Sequence, residues 1–489
     1  VELRRLLAGL ETTTIYNRRQ LEIKGLAYDS RRVAPGYLFV ALPGLKTDGR
    51  RFIPQALEKG AVGIVAESPP PAAYRDLLWI EVPHARQALA QLSANWWNHP
   101  GEKLHLCGVT GTNGKTTTAF YLQHLFTSAG IKTGVVGTLG VRGVGFSQTT
   151  RHTTPESLEL QGYLAQLVNT GHKAAVLEVS SHALDQERTA GLKFKAALFT
   201  NLTQDHLDYH KTLEAYFQSK QKLFRQLEPE ALAVLNADSP YSPKLAAVTP
   251  ARVVTAGFTA DADYRLELLP AEGGQTQLRL IAPRTSMEFR TNALGKYNLQ
   301  NLVLAMVAFL ELEGAPGVIH AAANNLPTVP GRMERVPVPA PYTVVVDYAH
   351  TPDAMERVLE TLRAQFPRAV LTVVFGAGGD RDRTKRPLMG AAACRYADRV
   401  IVTSDNPRSE DPEAIIADIL PGCSGHTSVI QEPDRKKAIH RALLEGTDGA
   451  VIAILGKGHE TYQEIRGHRY PFNDVAVVKK FFENAGVSQ

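Results

Sequence analysis

Gly108-Val109-Thr110-Gly111-Thr112-Asn113-Gly114-Lys115-Thr116-Thr117 is the stretch on which the reading of this chain turns. A mostly apolar run, Leu104 to Val109, leads into it, and a helix-like stretch, Thr116 to Ser128, follows. Strand, glycine-rich turn and helix together aim several backbone N–H groups at one point beside a helix N-terminus, where the peptide dipoles favour negative charge. Lys115 adds a mobile cation, and Thr116 a hydroxyl placed to ligate Mg²⁺. The stretch therefore reads as a cradle for the phosphates of ATP or a relative. Strict P-loop spacing would put its first glycine at Val109, and Gly108 lies one residue early, which marks a subclass of that loop.

With 489 residues the chain exceeds one ordinary domain, and length alone suggests about three. A net charge of +5 is small for this size. It gives no argument for a nucleic-acid partner and leaves room for an anionic small substrate. Cys107, Cys394 and Cys423 lack metal or CxxC spacing, which fits reduced thiols in a cytosol. No apolar run approaches a membrane span, and the opening Val1-Glu2-Leu3-Arg4-Arg5 has no signal-peptide core, so the expectation is a cytoplasmic protein. No coiled coil or long apolar patch points beyond a monomer.

Residues 1–97 alternate short strands and helices around Tyr28-Asp29-Ser30-Arg31, which predicts a small N-terminal α/β domain. Asp29-Ser30-Arg31 offers polar groups in a loop, and ordinary turn chemistry explains it equally well. Residues 98–330 hold the phosphate loop and the buried strands Gly134 to Gly137, Ala174 to Val179 and Ala196 to Thr200, the frame of a central parallel-sheet nucleotide-binding domain. Pro327, Pro330, Pro337, Pro339 and Pro341 interrupt regular structure and mark a boundary. Residues 331–489 alternate again, with strands near Thr343, Val370, Arg399 and Val451, and predict a Rossmann-like doubly wound α/β domain.

Glu178 ends an apolar run beside Ser180, Ser181 and His182, where a carboxylate is placed for Mg²⁺; a surface glutamate is the alternative. Thr200 to His210 carries Asp205 and His206, and His206 serves equally as a metal ligand or a hydrogen-bonded structural histidine. Lys220 lies in Tyr216-Phe217-Gln218-Ser219-Lys220-Gln221-Lys222, which locally reads as an amphipathic helix with solvated lysines. Arg332, beside the domain boundary, can meet a γ-phosphate or cap a turn, and Asp347 can bind a ribose or cap a loop. In the last section, Gly376 to Arg383, Ser404 to Arg408 and Gly456 to Glu460 each follow a strand and should converge. Arg with Asp and Glu is a set that grips a zwitterion, arginine taking a carboxylate and the acids an ammonium.

Together, Asp29-Ser30-Arg31, Gly111 to Thr117, His152-Thr153-Thr154-Pro155, Glu178 to His182, Asp205-His206-Leu207-Asp208, Gly331-Arg332-Met333-Glu334, Asp347 to His350, Gly379-Asp380-Arg381-Asp382 and Asp405-Asn406-Pro407-Arg408 resemble the Mur ligase family. The match is nearest to members that add the third residue of the peptidoglycan stem peptide. The resemblance implies an ATP- and Mg²⁺-dependent ligase acting on UDP-N-acetylmuramoyl-L-alanyl-D-glutamate (UDP-MurNAc-L-Ala-D-Glu) through an acyl phosphate.

The resemblance also implies site residues. Gly111, Thr112, Asn113, Gly114, Lys115, Thr116 and Thr117 would hold phosphates, with Asn298, Asn301, Arg332 and Asp347 elsewhere on the nucleotide. Thr116, Glu178, His206 and Lys220 would bind metal, Lys220 after carbamylation. Ser30, Leu45, Lys46 and Thr47 would contact the UDP-sugar, and His152, Thr153, Thr154, Ser180, Gln186 and Arg188 the muramoyl peptide. Arg381, Asp405, Asn406, Pro407, Arg408, Gly456 and Glu460 would hold the incoming amino acid, meso-diaminopimelate, with Arg408 on its distal carboxylate. Lysine as the amino acid, or a folylpolyglutamate-synthetase-like or D-glutamate-adding ligase, is the near rival. Asp29-Ser30-Arg31 and the tetrad at Asp405 argue against the last two. A non-catalytic nucleotide switch would keep the loop and need no zwitterion pocket.

Overall fold

Three sheets follow one another along the chain in this computed structural model, which describes residues 1–44, 47–270, 276–283 and 285–484. The first has strands Thr14–Tyr16, Gly25–Ala27, Tyr37–Val40, Gly63–Ala66 and Leu78–Glu81 in spatial order first, fifth, fourth, third, second. All pair in parallel except Thr14–Tyr16, which runs antiparallel to Leu78–Glu81. Alternate residues point to opposite faces, so Val40, Val65 and Ile80 enter one core and Phe39, Ile64 and Trp79 another. Asp29-Ser30-Arg31 is not an open loop. Ser30–Arg32 forms a single 3₁₀ turn, and Asp29 caps it by accepting the Arg31 N–H.

The second sheet has eleven strands among the described residues. His105–Thr110 lies between Ala174–Glu178 and Ala196–Phe199, parallel to both. In register, Glu178 sits opposite Val109 and Phe199 opposite Thr110, so the polar residues after both neighbours flank the glycine-rich loop. This is the C-terminal edge at which open parallel sheets bind ligands. Helix Lys115–Ser128 leaves the loop and packs against helix Lys296–Glu313, with Phe126 edge-on to Phe309. The opposite face is covered by helices Ser157–Asn169 and Leu213–Arg225.

The third sheet runs Glu334–Val336, Thr343–Asp347, Val451–Leu455, Leu371–Phe375, Arg399–Val402 and Val429–Gln431, parallel but for the first strand. Only Pro327 and Pro330 precede the third sheet; Pro337, Pro339 and Pro341 lie inside it, in the connection between its first two strands, where a turn needs no ladder hydrogen bonds. A hairpin, Tyr462–Ile465 with His468–Pro471, and helix Asp474–Asn484 follow. No described helix is long and apolar enough to cross a membrane. The three cysteines are free.

Candidate active site

Three cavities open where the second and third sheets face each other. The smallest, about 210 Å³, is lined by Thr112 to Thr117, Glu178, Asn298, Asn301, Arg332 and Asp347. Nearly all the residues expected on the nucleotide therefore meet; Gly111 lies just behind. The loop is braced from the next strand end, where the Thr200 hydroxyl donates to the Asn113 carbonyl (2.6 Å) and the Asn113 N–H donates to Asn201 Oδ1 (3.0 Å). Asn113 Nδ2 reaches across to Asp353 Oδ2 at 3.0 Å, tying the loop to the third sheet's first helix. Lys115 Nζ folds back on the carbonyls of Gly111 (2.9 Å) and Thr112 (2.8 Å), and burial lowers its pKa against the pull of Glu178 and Asp205.

Gly114 has φ +85°, and a Cβ there would run into the Asn301 side-chain amide. Gly114→Ala is accordingly expected to weaken nucleotide binding by about tenfold or more. Calorimetric titration with a non-hydrolysable nucleotide measures it.

Glu178 is 1% exposed. Its carboxylate accepts from the Thr116 hydroxyl (2.8 Å), the Thr138 N–H (2.9 Å) and the Thr138 hydroxyl (3.0 Å), and no described cation lies within ion-pair distance. The surface-glutamate alternative is thereby excluded. Arg332 Nη2 donates to Thr116 Oγ1 at 3.3 Å, and its guanidinium lies over the Tyr348 ring, 4.6 Å from the centroid. Asp347 accepts the N–H groups of Met333 (2.6 Å) and Ala349 (2.7 Å), so it caps the loop while lining the cavity.

The local reading of Lys220 as a solvated lysine is wrong. On helix Leu213–Arg225 the solvated one is Lys222, 40% exposed, whereas Lys220 is 1% exposed among Tyr216, Phe217 and Phe224. Its Nζ donates to the Gly111 carbonyl at 2.8 Å and lies 4.4 Å from the Tyr216 ring centroid. Burial, reinforced by Lys115, drives its pKa well below the ordinary lysine value. His206 sits 3.5 Å from Asp205, and burial pulls it down to about 4, so the imidazole is neutral.

The second cavity, about 500 Å³, gathers the three loops of the third sheet: Gly378, Arg381, Asp405, Asn406, Arg408, Gly456 and Glu460 all line it. The convergence expected of those strand ends holds. Pro407 stands behind, its carbonyl packed against Gly379. The loops interlock: Gly379 N–H donates to the Asn406 carbonyl (2.9 Å), Asn406 Nδ2 to Glu460 Oε2 (2.8 Å) and Arg408 Nη1 to the Gly379 carbonyl (2.6 Å). Arg408 has φ +52° and is held by the hairpin, its N–H on the Glu464 carbonyl and its carbonyl on the Arg466 N–H. Lys385 and His350 also face this cavity. Sequence reasoning missed Lys385, although it follows Arg381-Asp382-Arg383 by two residues.

The third cavity, about 1450 Å³, carries Arg31, Arg32, Arg142, Arg151 and Arg469 with His152 and Thr153. Several residues expected to touch ligand also have partners within the protein. Ser30 donates to Gln55 Oε1 (2.6 Å), Thr154 to the Glu178 carbonyl (2.7 Å), and Ser180 caps helix Ser181–Asp185. Arg188 pairs with Glu156 (2.9 Å) and donates to Gln186 Oε1 (2.8 Å). Short hydroxyls and a guanidinium beside buried carbonyls and carboxylates satisfy those groups first, because an unpaired buried polar atom is costly. Thr47 is exposed, and Leu45 and Lys46 lie outside the described residues. Tyr348 lines all three cavities, and Asp205, His206 and His350 line both the 210 Å³ and the 500 Å³ cavity.

Sequence comparison matches residues 22–97 to the Mur ligase family catalytic domain, 109–309 to the Mur ligase middle domain and 331–458 to the Mur ligase glutamate ligase domain. The chain is 44% identical over 476 residues to a UDP-N-acetylmuramoyl-L-alanyl-D-glutamate--2,6-diaminopimelate ligase of Solibacter usitatus, covering 96% of this chain and 95% of that one. It is 46% identical over 479 residues to the protein of that name from Gloeobacter violaceus, covering 97% and 96%. A solved structure titled as a ligase of that name is 34% identical, covers 100% of both chains and superposes with a TM-score of 0.69. On these full-length matches, and on a phosphate loop shared between facing sheets, the chain belongs to the Mur ligase family.

Proposed function

We propose that this chain is an ATP-dependent amide ligase that joins meso-diaminopimelate to UDP-MurNAc-L-Ala-D-Glu in peptidoglycan synthesis. The observation that carries the reading is the meeting of three cavities of different chemistry at the Tyr348 ring: a phosphate loop, a cleft rich in arginine, and a pocket lined by Arg381 and Arg408 together with Asp405 and Glu460. A nucleotide sugar is polyanionic and suits the cleft; a diamino dicarboxylic acid suits the pocket. In this reading residues 1–97 and the cleft present the UDP-sugar, 98–330 the nucleotide, and 331–489 the amino acid. It works as a cytoplasmic monomer without nucleic acid.

The substrate carboxylate oxygen attacks the γ-phosphorus of ATP, the bond to the β-bridging oxygen breaks, and ADP leaves. The amine nitrogen then attacks the acyl carbon, phosphate departs with the bond it held, and the nitrogen sheds its proton to a neighbouring base. Two anions must approach in the first step, and Lys115, Arg332 and the amides of Lys115 to Thr117 at the helix N-terminus supply the opposing field. His350, held neutral by burial at the wall shared by the two cavities, can take the proton released in the second.

The donors around Glu178 fit a hard divalent cation: a buried carboxylate held only by neutral donors, with a threonine hydroxyl at 2.8 Å. Thr116, Glu178, His206 and Lys220 would hold Mg²⁺, which supplies charge neutralisation at the phosphates. Lys220 joins that set as a carbamate: its neutral amine forms an N–C bond to CO₂ and releases one proton. Burial that keeps the amine neutral favours that step.

The test is phosphate release. It should require ATP, UDP-MurNAc-L-Ala-D-Glu and meso-diaminopimelate together, and L-lysine should replace diaminopimelate poorly. Release that ignores the sugar dipeptide and the amino acid would overturn the reading in favour of a nucleotide switch.

A further inference from the structure

Lys457 lies between Gly456 and Glu460 and is 0% exposed. Its Nζ donates to Glu460 Oε2 at 2.7 Å and to Asn406 Oδ1 at 3.1 Å. Asn406 in turn donates to the same Glu460 oxygen and accepts the Glu464 N–H at 2.9 Å. One buried ammonium therefore ties together the loop after Arg399–Val402, the loop after Val451–Leu455 and the hairpin that holds Arg408. Asp405, only 7% exposed and facing the same cavity, makes no side-chain hydrogen bond or ion pair with any described residue.

Two carboxylates so placed that Asp405 raises the pKa of Glu460, each mostly buried, cannot both stay charged without compensation. Lys457 compensates one of them in direct contact, whereas Lys385 and Arg435 act on Asp405 only from beyond ion-pair distance and leave its oxygens open to ligand. We propose that Lys457 is a positioning residue for the incoming amino acid: it orients Asn406 and Glu460 and pairs with the Glu460 charge, so that Asp405 is the carboxylate of that pair without a contact partner and receives the substrate ammonium. This rests on the functional reading above, and concerns how the pocket is built rather than which reaction it serves.

The groups facing Glu460 set the pH behaviour. Burial and Asp405 raise its pKa; Lys457 and the Asn406 amide lower it, and Tyr348, Tyr462 and Arg435 lie close enough to feel it. Taking away Lys457 removes a lowering influence, so Glu460 protonates at higher pH. The acid limb of kcat/KM for diaminopimelate should then move upward in pH, a change that simple loosening of the fold would not produce.

The experiment is a double-mutant cycle on the full chain, with each substrate varied in turn. Lys457→Met should raise the KM for diaminopimelate by about tenfold or more, leave the KM for ATP and for the sugar dipeptide within about twofold, and shift the acid limb. In a Glu460→Gln background the same change should cost less than about threefold and shift no limb, because its target is gone. Should Lys457→Met fail to fold, Lys457→Gln, which keeps a donor but no charge, takes its place. A wild-type KM for diaminopimelate in the neutral variant, or an equal cost in both backgrounds, overturns the proposal. Wild-type protein that turns over without diaminopimelate would instead overturn the functional reading on which it rests.

Discussion

Lys220→Met is expected to lower turnover by about 10²- to 10³-fold, the scale of losing one preorganised electrostatic contact at a reacting centre. In metal-free protein with Lys220 unmodified, the same change should leave the unfolding temperature unchanged or raise it. Lys220 is buried with no carboxylate partner among the described residues; its contacts are the Gly111 carbonyl and the Tyr216 ring. A lysine whose pKa is lower folded than unfolded costs the folded state stability at neutral pH, and the cost falls only as pH rises toward the unfolded value. Methionine has similar length and no charge to bury. A purely structural lysine would give the reverse pattern, with stability lost and turnover kept. Phosphate release and a calorimetric melt on the same preparation distinguish the two.

Arg408→Ala should cut kcat/KM for diaminopimelate by about 10²- to 10³-fold and leave the KM for ATP near its wild-type value. The backbone of Arg408 is pinned on both sides by the hairpin, and its guanidinium hydrogen-bonds the Gly379 carbonyl with no described acidic partner. A fixed cation at a pocket wall awaits an anion, and removing one member of a buried charge pair costs about 3–5 kcal/mol. Lysine lacks the distal carboxylate, so the arginine also penalises lysine by leaving its own charge unmatched. Selectivity between the two amino acids should therefore narrow in Arg408→Ala, chiefly through the loss with diaminopimelate. An amino-acid panel on wild type and variant reads this directly; equal kinetics with diaminopimelate would remove Arg408 from the specificity site.

The phosphate loop was legible because its function constrains its backbone. Gly114 must hold φ +85° against Asn301, and Lys115-Thr116 must follow at once. Convergence of the three loops after Phe375, Val402 and Leu455 was legible too, since strand ends in a parallel sheet share an edge. What was hidden depended on partners far away in the chain. Helical periodicity around Lys220 and Lys222 puts both on a polar-looking sequence, and only the Gly111 carbonyl, 109 residues earlier, shows which one turns inward. Lys457 meets Asn406 across 51 residues, so a glycine-flanked lysine gave no sign of its role. The bonds of Ser30, Thr154, Ser180 and Arg188 to Gln55, the Glu178 carbonyl, Ala183 and Glu156 were hidden too, because they are made by folding.

Tyr348 is a wall of all three cavities, stacked under Arg332 and beside His350 and His459. That makes it a poor place for the protein to evolve. A substitution that reshaped one cavity would reshape the other two, so under the proposed function a change that evades an inhibitor anchored on that ring should also impair substrate use. A compound spanning the junction and gripping Tyr348 would turn the enzyme's own economy of walls against it.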